Sequence, residues 1–223
     1  MKADYDELSP LGQEQARMLG EHFAARGSRF DAVFSGPARR HRDTTARAGE
    51  GMTAGGKPWP APVVLSALDE HDAFSLVKAA AAQLAEDSEV AEGHRSLLAA
   101  TAPDERSRSF QRLFEAVMHR WMQGAFEPEG VESWPVFRER VLSGLDAIIA
   151  SGARRPVAFS SVGPVAVLLQ RALGTDDAAS FRTAWRLRNT GLTQFAFDRR
   201  GRFTLDGFNA LPHLPEPERW TFR

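Results

Sequence analysis

The sequence contains no cysteine, which excludes a disulfide framework, a thiolate-bound zinc and a cysteine nucleophile together. Covalent chemistry would have to use His, Ser, Asp or Lys. A bilayer span is missing too: no apolar run reaches roughly 18 residues, and Met1 to Ser9 are acidic and polar, unlike a signal peptide. The expectation is a cytoplasmic chain without a membrane partner. Nor is there an excess of one charge. With 28 basic and 29 acidic residues, no global field favours nucleic acid or an anionic surface, so any phosphate site must be local. The six histidines, His22, His41, His71, His94, His119 and His213, show no metal-ligand spacing, so no metal is expected.

What is present suits one α/β domain of 223 residues with a core of normal size, 43% of the chain being hydrophobic. Ser9 and Pro10 read as the cap and first position of a helix, with Leu11, Gln15, Leu19 and Phe23 at helical spacing up to Gly27. Phe30 to Ser35 reads as a strand buried on both faces, closed by Gly36-Pro37; Pro37 opens a second helix to about Ala48. Gly49 to Pro62 reads as a loop, and Val63 to Leu65 as another strand.

From Asp72 to about Gln123 the period is helical, with stripes Phe74, Val77, Ala81, Leu84 and Phe110, Leu113, Phe114, Val117, Trp121. A long amphipathic helix follows, carrying Trp134, Phe137, Val141, Leu145 and Ile148 on one face. Pro156 to Ser161 reads as a buried strand, Val162-Gly163 as a turn and Pro164 to Leu173 as a helix, a junction type at which active sites sit. Residues 192–205 alternate as a hairpin, and the Pro-rich tail from Leu211 reads as a surface segment.

Arg39, Arg40 and Arg42 follow a strand at the start of a helix, where free amides and the helix dipole favour an anion. A guanidinium fork suits phosphate, although three solvated helix arginines would look the same. Asp69-Glu70 closes the Val63–Leu68 region, where a carboxyl could protonate a leaving oxygen; a solvated turn is the bland alternative. Ser160 and Ser161 end the later strand before a helix, placed either to touch phosphate or merely to cap the helix. Gly51 to Lys57 matches seven positions of a P-loop, but Pro58 stands where Ser or Thr should hold magnesium and no apolar strand precedes it.

Taken together, Leu8-Ser9-Pro10-Leu11-Gly12 with Gln15-Ala16 and Leu19-Gly20, then Phe30 to Pro37, resembles the histidine phosphatase (phosphoglycerate mutase-like) superfamily, whose members read "LTxxGxxQAxxLG" and "FDxVxSSPLxRAxxTA". The resemblance implies a three-layer α/β/α fold with a mostly parallel central sheet in one domain over residues 1–223, and it matches least the helical stretch, read from its period as an insertion over about 72–125. It implies that Arg40 binds the phosphoryl group, with Thr44 or Thr45 as the downstream threonine, and that the proton donor falls on Glu70 within Leu68-Asp69-Glu70. The late strand motif falls on Asn189 to Asp198.

Two departures accompany the match. The family's opening strand ends in "RHG", whose histidine takes the phosphoryl group; that nucleophile is expected upstream of Met1. The family's "SHGGP" lines up with Ser160-Ser161-Val162-Gly163-Pro164, so Ser161 stands where histidine is usual and supplies one hydrogen bond without an imidazolium charge. The implied activity is hydrolysis of a small-molecule phosphomonoester through a phosphohistidine, with Ser160 and Ser161 beside Arg40 at the phosphate and with no metal or cofactor implied. Mutase chemistry lacks a recognisable second acid grip. The alternative is an inactive phosphate-ester-binding or interaction protein of the same fold. Substrate choice would lie in the helical insertion.

Overall fold

The computed structural model describes residues 6–198 and 200–222. The chain forms two units: one built from the chain up to Glu70 and from Arg140 onward, the other from His71–Glu139.

In the first unit, α1 (Pro10–Ala25) starts where Ser9 accepts a hydrogen bond from the Gly12 amide at 3.1 Å, and it buries Ala16, Leu19, Phe23 and Ala24. β1 (Ala32–Ser35) leads into α2 (Arg39–Ala54). Side chains alternate across β1: Val33 joins Leu19, Phe23, Ala48, Met52 and Phe159 on one face, while Phe34 joins Leu68 and Ile148 on the other. Helices thus cover both faces of a parallel sheet ordered β2 (Val63–Val64), β1, β3 (Pro156–Phe159).

The second helix differs from its sequence reading at both ends. It begins at Arg39, not Pro37, and runs past Ala48 through Gly49 and Gly51 to Ala54. Those glycines serve packing, not chain reversal. A Cβ on Gly51 would lie 2.3 Å from the Arg17 carbonyl oxygen, and one on Gly20 would lie 1.9 Å from that of Ala48. Bare backbone at both positions lets α1 and α2 approach closely.

β3 is shorter and less buried than expected: Phe159 is buried, Pro156 and Val157 are half-buried and Ala158 is exposed. Among the described residues β3 pairs with β1 alone, so only one of its edges is covered by a strand. α7 (Val162–Leu173) starts at once, with Val162-Gly163 inside its first turn. The same unit holds α8 (Asp177–Ala184), which the sequence reading missed, and the antiparallel hairpin β4 (Leu192–Phe197) and β5 (Phe203–Ala210).

The tail is not merely superficial. His213 and Leu214 are buried, and the buried Gln15 amide donates to the Arg219 carbonyl at 2.6 Å and to Thr221 Oγ1 at 3.0 Å. A buried amide needs such partners, and here they fasten residues 219–221 to α1.

The second unit contains α3 (Ala73–Gln83), α4 (Ser88–Ala99) and α5 (Pro103–Met122), then the start of α6 (Trp134–Ala150), which continues into the first unit. Its core is aromatic: Trp121, Trp134 and Phe137 have ring centroids 5.3–5.7 Å apart, and His71 stacks 6.0 Å from Phe114. Among the described residues no helix is long and apolar enough to cross a membrane.

Candidate active site

The register of the parallel sheet places Ser35, Val64 and Phe159 level with one another at its C-terminal edge. From that edge emerge the start of α2, the 3₁₀ turn Ser66–Leu68 with Asp69-Glu70, and the start of α7. This is where open α/β sheets place ligands, because loops and helix N-termini converge there.

Arg40 and Ser161 come together: Arg40 Nη2 donates to Ser161 Oγ at 3.4 Å. On its other side Arg40 Nη1 donates to Asp6 Oδ1 at 2.8 Å, and the same carboxylate accepts from the Arg39 amide at 2.8 Å and the Arg40 amide at 3.3 Å. Asp6 therefore sits as an anion at the N-terminus of α2, the position the helix dipole favours. Burial pushes the Asp6 carboxyl up, but the two amides and the guanidinium outweigh it, leaving its pKa below the usual carboxylate value. Arg39 turns away to pair with Glu7 and Asp43, and both threonines are occupied, Thr44 Oγ1 donating to the Arg40 carbonyl and Thr45 Oγ1 to that of His41.

Glu70 reaches the start of α7, where its Oε2 accepts from the Gly163 amide at 3.1 Å. It is held there by a rigid support: Arg140 Nη1 donates to the carbonyls of Ser66, Ala67 and Asp69, each at 3.1 Å, tying down the turn that carries Glu70. Asp69 accepts from the Glu70 amide at 2.9 Å; burial lifts its pKa above the usual value, opposed by that hydrogen bond and by the charges of Arg140 and Arg40. Ser160 is close but engaged, since its hydroxyl donates to the Leu68 carbonyl at 2.7 Å and so locks β3 to the same turn.

The sequence reading named His41 only to exclude a metal site, yet its Nε2 hydrogen-bonds with Ser161 Oγ, and the residue is 3% exposed. Burial pushes its pKa down to about 4; the Arg40 charge adds to this, and Glu70 and Asp6 oppose it. The available signal was adjacency: a histidine directly after Arg40, the arginine expected at the phosphate, in the first turn of the same helix. Among the described residues no group of three or more His, Cys, Asp or Glu side chains could hold a metal ion. The cluster thus combines a guanidinium, a hydroxyl, a neutral imidazole and a carboxylate, a set able to bind a phosphoryl group and exchange a proton with its ester oxygen.

The family model described as histidine phosphatase superfamily (branch 1) matches residues 2–111 and 71–210. Among solved structures, the chain is similar to the α-ribazole phosphatase of Shigella flexneri, with TM-score 0.57 and 17% identity over 92% of this chain and 85% of that one. It is similar to a mycobacterial glucosyl-3-phosphoglycerate phosphatase, with TM-score 0.56 and 21% identity over 92% and 88%. It is also similar to the phosphoserine phosphatase of Entamoeba histolytica in complex with 3-phosphoglyceric acid, with TM-score 0.58 and 19% identity over 93% and 86%. No curated protein matches.

Proposed function

Because the chain belongs to the histidine phosphatase superfamily, we propose that it hydrolyses small-molecule phosphomonoesters through a phosphohistidine. The observation that carries this reading is the meeting of Arg40, Ser161 and Glu70 at the N-terminus of α7. In the first step a histidine nitrogen bonds to phosphorus as the ester P–O bond breaks, and Glu70 gives its proton to the leaving oxygen. Arg40 and Ser161 hold the non-bridging oxygens throughout, where charge shifts in the transition state. Water, deprotonated by Glu70, then displaces the histidine and releases orthophosphate.

Phosphate release from p-nitrophenyl phosphate and a panel of sugar and amino-acid phosphates, by protein made from its native gene, tests the reading. Activity is expected, together with an acid-labile, alkali-stable phosphoryl-protein on rapid quenching. Arg40→Ala should lower kcat/KM by about 10²–10³, and Arg40→Lys should recover little because it lacks the fork. Arg40-dependent binding of phosphate esters without turnover would select the alternative, a binding protein of the same fold.

A further inference from the structure

His41 has no part in the chemistry above, yet it is the buried group closest to Ser161. Its neutral ring carries one N–H. Among the described residues Nδ1 is buried without a hydrogen-bond partner, whereas Nε2 faces Ser161 Oγ. A proton on Nδ1 would bury a donor with no acceptor; a proton on Nε2 leaves only an unused acceptor and points a donor at the serine. The Nε2–H tautomer is therefore the favoured one. Ser161 Oγ then accepts from both His41 Nε2 and Arg40 Nη2, which uses both of its lone pairs. What remains is the hydroxyl hydrogen, a donor.

We propose that His41 is a positioning residue that donates to Ser161 Oγ and thereby commits the Ser161 hydroxyl to donating toward a bound phosphoryl oxygen. The inference rests on the phosphatase reading of this site. It also assigns Ser161 a role: a hydroxyl that accepts from an imidazole N–H cannot hand its own proton to that nitrogen, so Ser161 is an oxyanion donor and not a nucleophile.

The backbone has been cleared for the ring. A Cβ on Gly36 would lie 2.2 Å from His41 Nδ1, 2.8 Å from the Leu68 carbonyl oxygen and 3.0 Å from His41 Cε1. Those separations are below contact distance, so a side chain at position 36 must displace the imidazole and press on the Leu68 carbonyl as well. Gly36, His41 and Ser161 form one mechanical unit on which the donor direction depends.

Orthophosphate binding measured by calorimetry on native-gene protein tests this with a double-mutant cycle. His41→Leu keeps bulk and loses the donor; His41→Gln places an amide N–H near the position of Nε2. In the parent background His41→Leu should weaken orthophosphate binding about five- to tenfold, the worth of one hydrogen bond, and His41→Gln should restore most of it. In a Ser161→Ala background His41→Leu should change binding by less than about twofold, since its effect travels through the serine. Gly36→Ala should weaken binding as His41→Leu does, and His41→Gln keeps the test decisive if either of these fails to fold. Equal weakening by His41→Leu in both backgrounds, or a Gln variant no better than Leu, would overturn the inference while leaving the phosphatase reading intact. Orthophosphate binding that ignores Arg40→Ala would overturn both.

Discussion

Arg40 is braced by Asp6 on one side and reaches Ser161 on the other, so under the proposed function a phosphoryl group arriving beside Ser161 would meet a guanidinium that is already held in place. Less ordering entropy then has to be supplied by binding. Glu70 stands differently, held by a backbone amide on a turn that Arg140 fixes through three carbonyls. If its role is to protonate the leaving oxygen, its removal should matter in proportion to how badly the leaving group needs a proton. Glu70→Gln is expected to lower kcat about 10²–10³-fold on alkyl phosphates and far less on p-nitrophenyl phosphate. Equal losses on both would remove Glu70 from that role. At this scale Arg39, Arg40 and Arg42, Asp69-Glu70 and Ser160-Ser161 were legible as candidates from residue types after strand ends, and the family resemblance singled out Arg40 and Glu70 among them. His41 and Asp6 were not, because their importance comes from what lies beside them after folding.

At the scale of elements, the most exacting contact is that between α1 and α2. Gly20→Ala or Gly51→Ala would press a methyl against carbonyl oxygen and main chain of the facing helix, with no flexible side chain to give way. Each should lower stability by about 1–3 kcal/mol or more, read as a lower urea midpoint at unchanged m-value. The helices, the hairpin and the β1 strand were readable from period and caps because those signals are local. Gly49 and Gly51 misled for a definite reason: glycine marks a loop when it is needed for backbone conformation and a helix crossing when it is needed for space, and composition does not separate the two. α8, only eight residues long, carries too few apolar positions for its period to show. The burial of β3 was misjudged because an apolar strand sequence does not state how many neighbours the strand has.

For the molecule as a whole, acid should be more damaging than the near-neutral charge balance suggests. His41 and His213 are both pushed down to about 4, His41 by burial and then by Arg40, His213 by burial and then by His22. Their unfolded value lies near 6.5. Between those values the unfolded chain binds protons that the native state refuses, so stability is full above pH 6.5, falls as pH drops from 6.5 to 4, and is independent of these groups below that. The loss should be on the order of a few kcal/mol for each histidine, seen as a lower urea midpoint at pH 4.5 than at pH 7. His213→Gln should make the decline shallower. The Asp6 carboxylate, whose pKa is lowered, surrenders its contribution only at still lower pH, which separates it from the histidines.

The clasp between Gln15 and residues 219–221 also has a history in time. Gln15 emerges from the ribosome well before the carbonyl and hydroxyl that satisfy its amide, which are made some two hundred positions later. Until then α1 carries a polar group with no companion at the place where it must become dry. The nascent chain can therefore form α1 early, yet the closure of this unit around Gln15 waits for residues 219–221 to be synthesised.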